Sequence, residues 1–523
     1  MKENILFAPT KEIAAWAEND FFPIGRVVTD YDELLRLDLQ QVGSLYGKFS
    51  QEQLSAFIGF GLRVYHLESE SRDDTFQDRG ERFICYHRGE NNEPQQSAIH
   101  VLLVSGHIVP NLVPVFDEHD KKGVTGIVLV TTCQMTEAEN VIRNLAHDRG
   151  IPVYKPWPAH HSKYFGNLER AQDLVKRLRR LYPASPLVLN ATGGTKPFSM
   201  AYVDAFRHEA NARIIYVDTQ SRNIERLDTD ANTPLPNVLT LREYFDAVNF
   251  EVISIESENT EKAEAIEKRA RLTRSLAEEL PERKGGKKQG IKKASMAGIN
   301  MLAQIGMDAY RQGQAGIAKL EYAPDGATIA LLNQAQQAGL LDKWSNTEWQ
   351  FSSLDAARYL GGVWLEEFVY LSLGDAVKRW QPEVGAIHLA MGVEGRWHNQ
   401  KGNSQGVKNE FDICVVFNNQ LLLIECKTAR FGGQDHGKAG SNKAGNNKVK
   451  AQDVVNKLDL FNRAAGSLFG AGWLVSASRL PEHARQRAEI NRNVVLDGID
   501  GINHLVAKFD QWIEDTRSKP VPD

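Results

Sequence analysis

From Ala98 onward, short apolar runs alternate with stretches of helical period: "AIHVLLVSG", "GIVLVTT", a helix over 137–149, "IPVYK", a helix over 168–181, "PLVLNATGG", a helix over 197–209 and "ARIIYVDT". This rhythm predicts an α/β domain with a doubly wound, mostly parallel sheet over 98–235. Residues 1–92 carry strands of their own, "ENILFA", "GRVVTD" and "LRVYHL", and read as a small N-terminal α/β domain. "HRGENNEPQQS" at 87–97 is the linker between them. Over 236–350 the pattern turns helical around the basic run "ERKGGKKQGIKK" at 282–293, a solvated connection or a nucleic-acid contact. Residues 351–515 form a last α/β domain.

Within that domain, "KNEFDICVVFNNQLLLIECKTAR" (408–430) interrupts its own apolar pattern. Two strands flank Asn418 and Asn419, a residue type that tolerates the left-handed backbone of a tight hairpin turn. Phe417 then pairs with Gln420, and the continued register sets Asp412 opposite Glu425 and Glu410 opposite Lys427. Alternation sends all four charges to one face. Ile413, Val415, Val416 and Leu421 to Ile424 are apolar on both faces, as in a covered central strand. Opposed carboxylates repel unless a cation or a proton separates them, and a divalent metal is the simplest separator. A surface hairpin end with a Glu410–Lys427 salt bridge is the bland alternative.

Spaced carboxylates followed by Glu-x-Lys resemble the PD-(D/E)XK nuclease signature. The resemblance implies that Asp412 and Glu425 bind Mg²⁺ or Mn²⁺, helped by the main-chain carbonyl of Cys426, while Lys427 assists the attacking water and Glu410 joins the catalytic group. Upstream, "GGVWLEEFVYLSL" (361–373) reads as an apolar helix carrying Glu366 and Glu367, only one of which can face the site. Family precedent places a helical glutamate near the metal. Glu366, at four-residue spacing from Gly362 and Tyr370, is the candidate; the alternative is an exposed glutamate interacting with the helix dipole. "FGGQDHGKAGSNKAGNNKVK" (431–450) leaves the catalytic strand and cannot pack a core. It reads as a loop that contacts phosphates or orders on activation, or as a plain surface insertion.

A second constellation lies in the first sheet. "NATGGTKPFSM" (190–200) ends a strand and opens a helix with Pro197 at a favourable early position. Gly193 and Gly194 would let the backbone approach a phosphate while the helix N-terminus and Lys196 supply positive potential. Neither the P-loop nor the Rossmann glycine spacing is present, which disfavours ATPase and dehydrogenase activity. "VSGHIVPNLVP" and "TTCQMTEAEN" place Ser105, Gly106, His107, Thr132 and Gln134 on the same rim as Asn190, Thr192 and Thr195. These stretches together resemble the CARF domain, the CRISPR-associated Rossmann fold that senses cyclic oligoadenylates. Residues 98–515 are similar to the CARF-nuclease effectors of type III CRISPR systems, with "NKLDLF" (456–461) also retained. The resemblance implies a homodimer with one symmetric pocket for a cyclic activator, most often cyclic tetra-adenylate, and metal-dependent cleavage or nicking of DNA, with RNA as a further substrate. "TKEIAAWA" (10–17) and 42–67 resemble the Csx-sixteen group of small CRISPR ancillary proteins, which implies degradation of the activator. Thr10 and Lys11 stand where that group carries Arg-His, which favours an inactive fused module or a dimerisation domain over ring opening.

Composition narrows this picture. A net charge of −5 with 42% hydrophobic residues excludes a histone-like polycation, though a local basic patch could still hold nucleic acid. Cys85, Cys133, Cys414 and Cys426 are scattered, so free buried thiols are expected rather than zinc ligands. His160-His161 reads as part of a loop. No basic-apolar leader and no run of the ~18 to 20 apolar residues of a membrane span appears, so a cytoplasmic protein is expected. The reading is a ligand-gated endonuclease. Its rivals are a nucleotide-responsive nucleic-acid-binding regulator, with a winged helix within 296–350, and a restriction or repair nuclease that needs no activator.

Overall fold

The computed structural model describes residues 97–160, 163–183, 185–219, 221–278, 296–324, 326–345, 347–397, 406–428, 431, 450–466 and 470–517, together with 3–7, 26–28, 42–47, 63–68, 82–86 and positions 49, 53 and 57. Thr10, Lys11, His161, the basic run at 282–293, and nearly all of the linker at 87–97 and the loop at 431–450 lie outside the described residues. The chain forms two compact units, one built on Met1–Leu239 and the other on Phe250–Arg517.

In the first unit, β1 (Glu3–Phe7), β2 (Arg26–Val28), β3 (Val42–Gly47), β4 (Arg63–Glu68) and β5 (Arg82–Tyr86) make one sheet in the order β2-β1-β3-β4-β5, parallel except between β4 and β5. A second sheet contains β6 (Ala98–Leu103), β7 (Val124–Thr131), β8 (Trp157–Pro158), β9 (Leu187–Asn190), β10 (Ala212–Asp218), β11 (Asn223–Arg226) and β12 (Asn232–Pro234). Its order is β12-β11-β10-β9-β6-β7-β8, parallel from β10 to β8 and antiparallel where β10, β11 and β12 meander. Every residue of β6 and β9 is buried, as their unbroken apolar runs require in a sheet covered on both faces. The helix Tyr164–Leu181 buries Asn167, Ala171, Leu174, Val175, Leu178 and Leu181, a stripe at three- and four-residue spacing. The expected strand at "IPVYK" is reduced to a single bridge between Ile127 and Val153. Pro152 and Pro156 remove two of the N–H donors a ladder there would use. The chain runs outward through β6, β7 and β8, then returns to β9 on the other side of β6. The boundary between β6 and β9 is therefore the topological switch point.

In the second unit, β13 (Phe250–Ile255), β17 (His388–Trp397), β18 (Lys408–Phe417), β19 (Gln420–Lys427), β20 (Gly470–Ser476) and β21 (Val494–Asp497) form a six-stranded sheet in that order. Pairing is antiparallel from β13 to β19 and parallel from β19 to β21. A smaller antiparallel sheet joins β14 (Ile317–Lys319), β15 (Leu341–Trp344) and β16 (Glu348–Phe351) in the order β14-β16-β15. The stretch 236–350 is thus not simply helical. β13, although its sequence FEVISI is rich in β-branched residues, buries only Phe250 and Ile255. Asn418 (φ 49°) and Asn419 (φ 57°) make the left-handed turn of the β18–β19 hairpin, with Phe417 opposite Gln420. Among the described residues, no helix is long and apolar enough to cross a membrane.

Candidate active site and ligand rim

The β18–β19 ladder runs from the turn only as far as Ile413 opposite Ile424. Beyond that pair, β18 stays with β17 through Lys408, while β19 follows β20 through Lys427 opposite Ser476. The two strands therefore part at Asp412, and the expected facing pairs do not form. Glu410 is exposed and sits opposite Glu394 of β17 rather than Lys427. Asp412 Oδ2 instead accepts the Cys426 N–H at 2.7 Å, standing in for a main-chain carbonyl. Lys427 Nζ lies 2.8 Å from Glu425 Oε1, 2.9 Å from the Cys426 carbonyl and 3.5 Å from Asp412 Oδ2. The parting of the strands brings Asp412, Glu425, Cys426 and Lys427 together.

Electrostatics mark this cluster as undercompensated. Burial, and then the charge of Glu425, push the Asp412 carboxyl up to about 6, with Lys427 and the Cys426 N–H opposing. Burial also disfavours charge on Lys427, but Asp412 and Glu425 outweigh it and hold the ammonium protonated, above the ordinary lysine range. Lys427 is placed to orient and neutralise. Glu366 belongs to the cluster. Burial first, then the charge of Asp412, with smaller contributions from Glu410 and Glu256, push its carboxyl well above the usual range against the pull of Lys427. Glu367 turns away, fully buried and clamped by Arg269, whose Nε lies 3.0 and 2.9 Å from its two oxygens. Gly361 and Gly362, in the turn before the helix Trp364–Val384, allow close approach to the end of β19: Thr428 Oγ1 donates to the Gly361 carbonyl at 3.4 Å. A Cβ on Gly362 would sit 2.9 Å from that hydroxyl.

Among the described residues, no three His, Cys, Asp or Glu side chains converge on one point. The donor set here is two carboxylates and a carbonyl, all hard oxygens, and the Lys427 ammonium already stands among the three. Such a set fits a divalent cation. One cation beside this site was not among the site residues expected from sequence: Lys457, on the helix Ala451–Phe461, lies 3.2 Å from Glu425 Oε1. Its signal was the retained "NKLDLF" segment. Cys414 and Cys426 are free and buried, as expected, whereas Cys133 is exposed.

In the first unit, the residues of the second constellation follow β6, β7 and β9, at the carboxyl ends of three adjacent parallel strands and around the switch point. Ligands of open α/β sheets bind there. Gly106, His107, Gln134, Gly194 and Lys196 are exposed, Ser105 and Thr195 half-buried, and Thr132 buried. Asn190 and Thr192 build the turn. Asn190 Nδ2 donates to the Pro110 carbonyl at 3.0 Å, and its Oδ1 accepts from the Thr192 N–H and hydroxyl at 3.1 and 2.6 Å. Thr192 Oγ1 also accepts the Val217 N–H. Gly193 is required by the protein itself: a Cβ there would lie 1.8 Å from the Leu103 carbonyl oxygen. Gly194 adopts φ 82°, leaving the turn free to open the helix Lys196–Phe206 with Lys196 in its first turn.

Residues 99–244 match a family model described as the Card1 CARF domain, and residues 353–514 one described as the Card1-like endonuclease domain. No curated protein matches the sequence. Among solved structures, protein VC1899 from Vibrio cholerae is 19% identical with a TM-score of 0.64, over 81% of this chain and 99% of that one. Can2 from Sulfobacillus thermosulfidooxidans, solved in complex with cyclic tetra-adenylate, is 21% identical with a TM-score of 0.56, over 80% and 99% of the respective chains. At these identities the likeness is one of fold.

Proposed function

The chain is a Card1-type CARF endonuclease, and from that premise we propose that cyclic oligoadenylate switches on its metal-dependent cleavage of nucleic acid in type III CRISPR defence. The observation that carries the nuclease reading is the Asp412–Glu425–Lys427 cluster where β18 and β19 part. Asp412, Glu425 and the Cys426 carbonyl would hold Mg²⁺ or Mn²⁺, which supplies Lewis acidity toward water and the phosphodiester. Lys427 orients the attacking water and offsets phosphate charge. Glu366, its carboxyl driven toward the protonated form, adds a further oxygen beside Asp412.

On the rim, Lys196 and the main-chain N–H groups of Thr195 to Lys196 present positive potential to the phosphates of a cyclic activator, cyclic tetra-adenylate by analogy with the Can2 complex. A ring of repeated nucleotides is matched by two copies of the rim, hence a homodimer. Phe165 and Met200 support it: both are largely exposed, on neighbouring helices tied by the Tyr164 hydroxyl donating to Asp204 Oδ2 at 2.6 Å. Gating requires the activator to bind the cleavage-competent arrangement more tightly than the resting one.

The binding-regulator reading has a point in its favour, since a helix, a strand, a second helix and a hairpin succeed one another from Met296 to Phe351 as in a winged helix. However, the second helix, "GATIALLNQAQQ", contains no Lys or Arg to neutralise phosphates. The test is cleavage of supercoiled plasmid and single-stranded RNA with Mg²⁺ or Mn²⁺, with and without cyclic tri-, tetra- and hexa-adenylate. Cleavage should appear with the tetra-adenylate and fall about 10³-fold in Glu425→Ala. Lys196→Ala should raise the half-activating concentration about tenfold without affecting metal binding. Equal cleavage with and without every ring would establish the ungated nuclease instead.

A further inference from the structure

Glu425 Oε1 is shared by two lysines of different standing. Lys427 places its three N–H donors among Glu425, the Cys426 carbonyl and Asp412, and only 28% of its side chain is exposed. Lys457 reaches the same oxygen at 3.2 Å from the other side, with 47% of its side chain exposed. Among the described residues, Glu425 is its only hydrogen-bond acceptor, so two donors of the ammonium remain unspent.

Its location is fixed by its helix. Ala451–Phe461 buries Ala451, Val454, Val455, Leu458 and Phe461, and Lys457 flanks that stripe. The Phe461 ring, one turn on, lies with its centroid 5.2 Å from the ammonium and restrains it. Lys457 therefore has one anchored donor beside the acid cluster and about half of its side chain open to solvent. A surface lysine held by a salt bridge alone would point outward to an exposed partner; this one points inward, to a carboxylate only 4% exposed.

We propose that Lys457 is a second catalytic cation, anchored by Glu425 and donating its remaining N–H groups to a non-bridging oxygen of the scissile phosphate. This rests on the nuclease reading above. Lys457 gives up no proton; its charge offsets the negative charge that grows on the phosphoryl oxygens as water adds and the leaving oxygen departs. Lys427 orients the water on the acid side of the site. Lys457 adds its charge to that of Lys427 at the phosphate.

The experiment uses the full chain with Mn²⁺, supercoiled plasmid and cyclic tetra-adenylate. kcat, KM, the Mn²⁺ concentration at half-maximal rate and calorimetric Mn²⁺ affinity are compared for wild type, Lys457→Gln and Lys457→Arg. The expected result is a kcat about 10²-fold lower in Lys457→Gln, with KM and both Mn²⁺ measures within about twofold of wild type, and most of the rate regained in Lys457→Arg. A Lys457→Gln rate within about threefold of an active wild type overturns the proposal alone. So does a loss that raised Mn²⁺ restores, which would reduce Lys457 to a support for Glu425. Wild type silent with every ring overturns the nuclease reading and this proposal together. Should Lys457→Gln melt lower than wild type, Lys457→Arg, which keeps charge and stem, decides between them.

Discussion

Glu118 in the first unit and Asp412 in the second are both shut away from solvent, and their surroundings answer that burial in opposite ways. Around Glu118, His100 Nε2 lies 3.0 Å from Oε2, Arg213 Nη2 2.6 and 2.9 Å from Oε1 and Oε2, and Lys122 Nζ 3.1 Å from Oε1. Burial would raise this carboxyl, but the His100 hydrogen bond and the charges of His100, Arg213 and Lys122 overcome it and hold the group well below the usual range. Around Asp412 the largest influence after burial is the charge of another carboxylate, Glu425, and the acid is pushed up to about 6. The first cluster is complete within the protein. The second is left with a raised acid despite Lys427, and such uncompensated charge in a parted sheet marks a site built for something other than its own stability.

The largest effect that tests this contrast is Glu118→Ala. It leaves the buried His100 and the Arg213 guanidinium without their counter-charge and should cost about 4 kcal/mol in urea unfolding of the first unit. Because the Glu118 pKa is lowered on folding, its stabilisation is present above the ordinary glutamate value of 4.5 and is lost as the pH falls below it. A loss under about 1 kcal/mol would show that this cluster, too, is not a structural one.

Two consecutive residues, both with carboxyls raised by burial, differ in what faces them: Glu367 is clamped by Arg269, whereas Glu366 meets the charge of Asp412. Glu367→Gln removes the clamp with Arg269 and should cost about 2 kcal/mol in thermal or urea unfolding, with little direct effect on cleavage. Glu366→Gln relieves repulsion from Asp412 and should cost no stability, yet slow cleavage about tenfold or more. If both variants lost stability alike, Glu366 would belong with the packing and not with the site.

How much of this was legible follows from what each feature depends on. The Asn418-Asn419 turn and the strand spacing were readable because local backbone preference and alternation fix them. The choice of Glu366 over Glu367 was readable from helical spacing. The facing pairs were misplaced because register was carried past Ile413, where β18 and β19 separate and each continues only with its outer neighbour, β17 or β20. Nothing local to the hairpin signals that separation. Lys457 was missed as a site residue for the same reason, since its contact with Glu425 spans 32 positions. In the first unit the rim was legible from strand ends, but not the division of labour within it. Asn190 and Gly193 look like ligand contacts in sequence, and only the positions of Pro110 and Leu103 show that they hold the turn.

The smallest effect tests the comparison most directly. Asp412 rises from 3.8 to about 6 on folding, so between those values the folded state binds more protons than the unfolded one, and stability falls as the pH rises. Above about 6 the penalty is fully present; below about 4 it is absent. Asp412→Asn keeps an oxygen to accept the Cys426 N–H and removes the charge, so metal-free variant and wild type should melt together near pH 4 while the variant gains on the order of 1 kcal/mol near pH 8. Mn²⁺ should close that gap by stabilising wild type alone. Parallel melting curves at every pH would mean that Asp412 is as well compensated as Glu118, and that the parted strands are held by their own charges rather than waiting for a cation.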